Sequence, residues 1–279
     1  MKGLILAAGY GSRFLPVTKT VPKEMLPLID KPSIAFIVEE LLASGITDIV
    51  IITSRRKKAL EDYLDREIEL ERVFSKEGAE DKLSKIEPYR ANFFFIRQQE
   101  MRGTGHAILQ AKPVLEGETF IVAYPDDLHL GEKPLAVQLK ETHEKTGCTV
   151  LATQYDPPDI NRYGVLKLAE DNFHVTDIVE KPPRGREPSR EASIGRFLYT
   201  PDIFEFLEEG WKSHRGGEYY HVKALKSLMD RGRVVYKRME GERLDIGTPE
   251  GYLRAIIRYA SAIPEYRRII AEILRINLK

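Results

Sequence analysis

A chain of 279 residues is long enough for one large core or two small ones. Its 43 basic and 43 acidic residues give zero formal net charge, which argues against nucleic-acid binding by general electrostatics and against a polybasic membrane surface. The single cysteine, Cys148, excludes an intramolecular disulfide and a thiolate metal cluster.

Taken in chain order, residues 3–8 form an apolar run that reads as a core strand, not as a charged leader with a cleavage site. No run reaches the ~18–20 apolar residues that span a bilayer, so a soluble cytoplasmic protein is expected. The strand breaks into Gly9-Tyr10-Gly11-Ser12-Arg13-Phe14, and Pro22-Lys23-Glu24-Met25-Leu26-Pro27 follows. Glycines let backbone N–H groups face an anion, and Arg13 and Lys23 add full charges, so this segment reads as a polyphosphate cradle. The Walker A pattern is absent. The dinucleotide fingerprint fails because Phe14 replaces its third glycine and cations crowd the loop.

Residues 32–44 carry one apolar stripe (Ile34, Ile37, Val38, Leu41, Leu42), and Gly45 supplies a helix stop. Further strands are predicted at 48–53, 92–97 and 120–124, which with the intervening helices is the βαβ rhythm of a doubly wound, mostly parallel sheet. Such sheets bind ligands at the C-terminal strand ends, where Gly9, Arg13 and Asp126 fall. Residues 55–90 have charges nearly every other position and read as a solvated helical excursion. Cys148 opens an apolar run and is expected to be a small core hydrophobe. Strands at 150–154, 165–168, 176–179, 193–199 and 234–238 suggest an antiparallel extension. From 249 to 279 the pattern is helical, with Thr248 as N-cap, Pro249 at N1 and a break at Pro264. With no repeat and no low-complexity linker, one domain spanning 1–279 is expected: a nucleotide half (1–147), a second half (148–247) and terminal helices (248–279).

Several polar residues have two readings. Asp126 and Asp127 end an apolar strand and could be turn or cap residues, but magnesium favours one or two carboxylates plus phosphate oxygens, and Asp245 is a second acid at a strand end. Lys181 closes a strand before a proline and is either an edge charge or a phosphate ligand. Gln98 precedes a loop ending in Gly103-Thr104-Gly105; it either satisfies that loop or reads a base edge. His106 is expected to open a helix. No histidine pairs at metal-ligand spacing, and no residue sits in a recognisable nucleophile setting.

The string Leu6-Ala7-Ala8-Gly9-x-Gly11-x-Arg13 with Lys23-Glu24-Met25-Leu26-Pro27 resembles the signature of the sugar-nucleotide pyrophosphorylases. Arg97-Gln98, Gly103 to Ala107, Pro125-Asp126-Asp127, Tyr163-Gly164-Val165, Val179-Glu180-Lys181-Pro182, Ile194-Gly195-Arg196 and Asp245-Ile246-Gly247 recur in that family's order. The resemblance implies a Rossmann-like mixed sheet flanked by helices. It implies transfer of a uridylyl group from UTP to glucose 1-phosphate, and assembly as a homodimer or homotetramer. By that resemblance Ala7, Ala8, Gly9, Gly11, Ser12, Arg13 and Lys23 hold the nucleotide, with Gln98 and Gly103 at uracil. Asp126 and Asp245 hold Mg²⁺, Lys181 takes the sugar phosphate and Glu180 the hexose hydroxyls, while Gly164 and Gly195 border the sugar. Asp127 supports the site. The Lys-Glu-Met-Leu-Pro form is closest to the uridylyl branch, whereas Leu244 to Tyr252 is nearer the thymidylyl and guanylyl branches, so thymidylyl transfer or relaxed nucleotide choice stays open. A catalytically silent nucleotide sensor is a further alternative.

Overall fold

The apolar N-terminal run becomes the middle strand of a sheet. The computed structural model describes residues 1–277. It begins with β1 (Lys2–Leu6), the small hairpin of β2 (Pro27–Leu28) and β3 (Lys31–Pro32), α1 (Ser33–Ala43) and β4 (Asp48–Thr53). Helices α2 (Lys58–Leu64), α3 (Ile68–Glu77) and α4 (Glu80–Leu83) lead to β5 (Asn92–Arg97), α5 (Thr104–Gln110) and α6 (Lys112–Leu115). Next come β6 (Phe120–Ala123), β7 (Asp127–Leu130), α7 (Leu135–Thr146), β8 (Thr149–Tyr155), β9 (Gly164–Leu168), β10 (Val175–Glu180) and β11 (Glu191–Tyr199). The chain ends through α8 (Ile203–Ser213), α9 (Val222–Asp230), β12 (Val234–Arg238), β13 (Glu242–Asp245), α10 (Pro249–Ala262) and α11 (Pro264–Asn277). Residues 278 and 279 of the predicted terminal helix lie outside the described residues.

Parallel strands run in the order β6-β1-β4-β5. The chain steps outward from β1 through β4 to β5 and then returns to the other side of β1, so a topological switch lies between β1 and β6. The later strands form the expected antiparallel extension, and it is continuous with this sheet. Strand β11 pairs antiparallel with β6 and carries β8 and β9, so nine strands form one sheet. Strand β12 departs from the antiparallel expectation: it runs parallel to β8. Strands β7 and β13 pair antiparallel on their own; β13 ends at Asp245, as expected of an acid at a strand end, whereas β7 was not legible because it is short and half polar.

Alternation along the strands builds two cores. Ile5, Ile49, Ile51, Ile121 and Val150 face α1, α2, α7 and α10. Leu4, Val50, Val122, Leu151 and Phe197 face α5, α8 and α9. Each fully buried aliphatic side chain contributes ~1.5–3 kcal/mol. The charged excursion is helical as expected: α3 and α4 bury no residue, and α2 is anchored by Leu60 and Leu64. Thr248 caps α10 by accepting from Gly251 N, with Pro249 at the first turn. No helix among the described residues is long and apolar enough to cross a membrane.

Candidate active site

Strand β1 delivers the chain to its glycine turn. Ala7 and Ala8 remain buried and Ala7 N still bonds Ile52 O at 2.8 Å, while Gly9 and Ser12 reach the surface. Gly11 takes φ 68° and leads into a single 3₁₀ turn, Ser12–Phe14. A Cβ at Gly11 would lie 3.2 Å from Thr18 Cγ2 and 3.3 Å from Lys23 Cβ, so both torsion and space demand glycine there. A Cβ at Gly9 would meet nothing within 4 Å, and the residue needs no positive φ. The fold itself does not require that glycine.

Lys23 places its Nζ 2.7 Å from Asp126 Oδ2. Burial pushes the lysine down, but the carboxylates of Asp126 and Glu24 outweigh it and hold its pKa above the ordinary value. Burial likewise raises Asp126, and the Lys23 charge overrides it to leave the acid below its usual range. Behind them Lys57 Nζ meets Glu24 Oε2 at 2.5 Å, with both side chains buried. Here burial dominates: it lowers Lys57 and raises Glu24, so both partners shift toward neutrality.

Around the β1–β6 switch a cleft of about 400 Å³ is lined by Leu6, Gly9, Ser12, Lys23, Gln98, Gly103 and Asp126. Ala8 lines it as well. Gln98 is buried, and its Nε2 donates to Gly103 O at 3.2 Å and to His106 Nδ1 at 3.0 Å. The loop therefore takes the amide nitrogen, as the structural reading of Gln98 expected, while Oε1 accepts no hydrogen bond among the described residues. Gly103, at φ 88°, caps α5, and a Cβ there would fall 2.6 Å from Tyr219 O. His106 lies in the first turn of α5, as predicted.

A second cavity of about 220 Å³ adjoins the first and shares Tyr124 as a wall. Gly164, Glu180, Gly195, Asp127, His221 and Arg243 line it. Consecutive acids thus divide between the two: Asp126 borders the larger cleft and Asp127 the smaller. A Cβ on Gly164 would come within 2.9 Å of Glu180 Oε1. A Cβ on Gly195 would crowd Tyr124 and Asp127 at 2.8 and 3.0 Å.

Asp127 is held within the wall of the smaller cavity. It accepts from Gly195 N at 2.7 Å and receives the Arg243 guanidinium bidentately, at 2.6 and 3.0 Å. In the β7–β13 ladder Asp127 stands opposite Asp245, and Arg243 Nη2 also reaches Asp245 Oδ2 at 3.2 Å. Tyr163 OH donates to the same oxygen at 3.1 Å, and Gly247 N donates to Oδ1 at 3.0 Å. Asp126 Oδ2 and Asp245 Oδ1 flank Gly247, each 3.2 Å from where its Cβ would be. Arg13 closes this corner by donating to Gly247 O at 3.2 Å. Lys181 is placed apart: its backbone, at φ 47°, bonds Tyr163 O, and its exposed side chain is outside both linings.

Sequence reasoning missed Arg243, Thr104, Glu218 and His221. Thr104 Oγ1 lies 2.8 Å from His221 Nδ1 and Tyr124 OH 3.4 Å from it, which ties the wall of the larger cleft to the smaller one. Burial pushes the pKa of His221 down to about 4. Arg243 stood two residues from a recognised acid and Thr104 within the Gly103 to Ala107 motif; no local pattern marked Glu218 or His221.

A doubly wound sheet with a glycine turn, two cations and two acids gathered at its switch point is a nucleotide-handling transferase scaffold. The model of the family described as Nucleotidyl transferase matches residues 2–262, and this chain belongs to that family. Over 270 residues it is 40% identical to a UTP–glucose-1-phosphate uridylyltransferase of Staphylococcus epidermidis, covering 95% of this chain and 93% of that protein. UTP-bound UGPase from Acinetobacter baumannii superposes with TM-score 0.88 at 30% identity, over 97% of this chain and 98% of that one. A UDP-glucose pyrophosphorylase complexed with UDP-glucose superposes with TM-score 0.80 at 37% identity, over 94% and 98%.

Proposed function

We propose that this protein transfers the uridylyl group of UTP to glucose 1-phosphate and releases pyrophosphate. The observation that carries the reading is the pair of cavities meeting at Tyr124, with Asp126 and Asp127 facing one each. The relatives similar to this chain, one solved with UTP and one with UDP-glucose, support those two ligands. The nucleotide occupies the larger cleft with its phosphates along Gly9 to Ser12 and its base at Gln98, whose free Oε1 accepts from uracil N3–H. Glucose 1-phosphate occupies the smaller cavity, where Glu180 accepts from sugar hydroxyls and Gly164 admits the ring.

A phosphate oxygen of the sugar attacks the α-phosphorus in line. The new P–O bond forms as the α–β phosphoanhydride breaks, and the electron pair leaves on pyrophosphate. The attacking phosphate is already an anion and needs no general base, so orientation and charge neutralisation supply the catalysis. Lys23 is suited to neutralising charge, because its ammonium is within reach of both Asp126 and the cleft, and nucleotide phosphate competes with Asp126 for it. Arg13 secures the Gly247 turn that separates the two acids.

The donor set suits magnesium. Asp126 and Asp245 offer two carboxylates on either side of one turn, and no cluster of three or more acidic, histidine or cysteine ligands occurs among the described residues; a hard cation that takes its other ligands from phosphate and water fits such a partial shell. When bound there, Mg²⁺ supplies neutralisation of phosphate charge.

Pyrophosphate release, measured across a grid of nucleoside triphosphates and sugar 1-phosphates with and without Mg²⁺, tests the proposal. It expects the largest kcat/KM with UTP and glucose 1-phosphate and loss of turnover in chelator. Equal turnover with dTTP replaces strict uridylyl transfer by relaxed nucleotide choice, and no release with any pair makes the chain a silent nucleotide binder.

A further inference from the structure

Across the glycine turn from the nucleotide cleft lies a third, smaller cavity to which the proposed reaction assigns no group. Its volume is about 200 Å³, and it shares Gly9 and Tyr10 with the cleft. Three cationic side chains line it, Lys19, Arg56 and Lys57, together with the hydroxyl residues Thr18, Thr20 and Ser54; none of its lining residues is acidic. In a chain of zero formal net charge this is a local concentration of one sign. It draws on the run Arg55-Arg56-Lys57-Lys58, where β4 leaves the sheet. That run opens the charged segment that sequence analysis read only as a solvated helical excursion.

The pocket is partly preorganised. Arg56 Nη2 donates to Lys19 O at 2.8 Å, fastening the two cation-bearing loops to each other. Thr18 Oγ1 donates to Gly11 O at 2.8 Å, so this wall also braces the glycine turn. Lys57 is held at the back, 3% exposed, by its bond to Glu24 Oε2. The other oxygen, Glu24 Oε1, is buried without a partner. Glu24 offsets Lys57 alone, and Lys19 and Arg56 have no carboxylate partner among the described residues, so the excess charge of the pocket is positive. Guanidinium, ammonium and hydroxyl donors converging on a polar hollow form a donor set for phosphate oxygens.

We propose that this pocket binds a phosphate-bearing anion, with Lys19 and Arg56 as its mobile ligands and Lys57 as its fixed one. The inference builds on the proposed reaction only in the identity of one candidate source. The anion is either the pyrophosphate end of the reaction's own substrate or product, passing beyond Gly9 and Tyr10, or a separate phosphorylated compound. In the second case the site is wired to the chemistry: Lys57 holds Glu24, and Glu24 adjoins Lys23, the residue bound to Asp126.

The test is calorimetric titration of inorganic pyrophosphate into the full-length protein and into the Lys19→Gln/Arg56→Gln double variant. Both side chains are exposed, so folding is retained, and Lys57 is left in place because its loss would strand Glu24. At least tenfold weaker binding by the double variant is expected; equal affinity overturns the site. This measurement needs no turnover, so it stands even if the proposed reaction fails. Kinetics in the pyrophosphate-consuming direction then separate the sources. A KM for pyrophosphate raised by a similar factor, at unchanged KM for UDP-glucose, assigns the pocket to the substrate's own phosphates. Unchanged pyrophosphate kinetics, with millimolar inorganic phosphate altering turnover of the parent protein but not of the double variant, assigns it to a separate effector.

Discussion

Lys23 and Asp126 form an ion pair of 2.7 Å at the head of the cleft, joining the loop after β1 to the end of β6. Each partner stays charged against the pull of burial because the other is present. The acid is therefore poised as a full anion, and the lysine is poised to exchange it for phosphate.

Asp126→Asn removes that charge while conserving shape. Losing one preorganised charge at a phosphoryl centre costs roughly 3–4 kcal/mol, about a hundred- to a thousandfold in rate. We expect kcat to fall by at least a hundredfold, with a circular-dichroism melt close to that of the parent. A variant that keeps near-normal turnover removes Asp126 from the chemistry.

The two glycines of the signature turn separate fold from function. Gly11→Ala forces a Cβ into φ 68° and against Thr18 and Lys23, a strain of about 1–2 kcal/mol. Gly9→Ala meets no atom within 4 Å and should leave stability within about 0.5 kcal/mol. If backbone at Gly9 approaches phosphate, the harmless-looking variant raises the KM for UTP about tenfold. Melting curves beside nucleotide saturation curves decide it: an unstrained Gly9→Ala protein with unchanged KM shows that the cradle lies elsewhere.

His221 gives the fold an acid sensitivity. Its ordinary pKa of 6.5 falls to about 4 through burial, so the unfolded chain takes up a proton that the folded one refuses. The stability tied to its neutral form is complete above pH 6.5 and drains as pH falls toward 4, by about 3 kcal/mol at the limit. His221→Asn has no such proton. Urea unfolding at pH 7 and pH 4.5 should show the parent losing more stability than the variant; parallel losses would mean that the folded site accommodates the imidazolium.

The sheet was legible where burial is two-sided. Continuous apolar runs such as Ile49 to Ile52 and Phe120 to Ala123 have no other home, and β5 and β12 appear at their predicted limits. Strand β7 was illegible because Asp127-Leu128-His129-Leu130 is short and half polar, and of β13 only the end at Asp245 was legible, because Glu242 and Arg243 break its apolar pattern; their mutual pairing makes both strands. The site divides the same way. Acids at strand ends and a cation in the segment after the glycine turn carry their chemistry in the local string, so Lys23, Asp126 and Asp245 could be picked out as candidates. Arg243 and His221 act through partners roughly a hundred residues away, Asp127 and Thr104, and no local pattern encodes that. Gln98 had two local readings, and the structure bears out the structural one: its nitrogen bonds the Gly103 loop.

Lys181 is the sharpest test of the sugar subsite, because its exposed side chain and φ of 47° put it at the rim, outside the cavity that Glu180 lines. Its backbone N bonds Tyr163 O at 3.0 Å, and Tyr163 in turn holds Asp245, so the residue is tethered to the site even though its ammonium is free to swing. A flexible point charge at a rim suits capture of a phosphate monoester. Lys181→Ala should raise the KM for glucose 1-phosphate about tenfold or more, which is ~1.4 kcal/mol, with the KM for UTP unchanged and the fold intact. If the KM for UTP moves instead, the two subsites are exchanged. If neither moves, the lysine is only an edge charge, and glucose 1-phosphate must be held by the groups that line the cavity, Arg243 foremost among the cations.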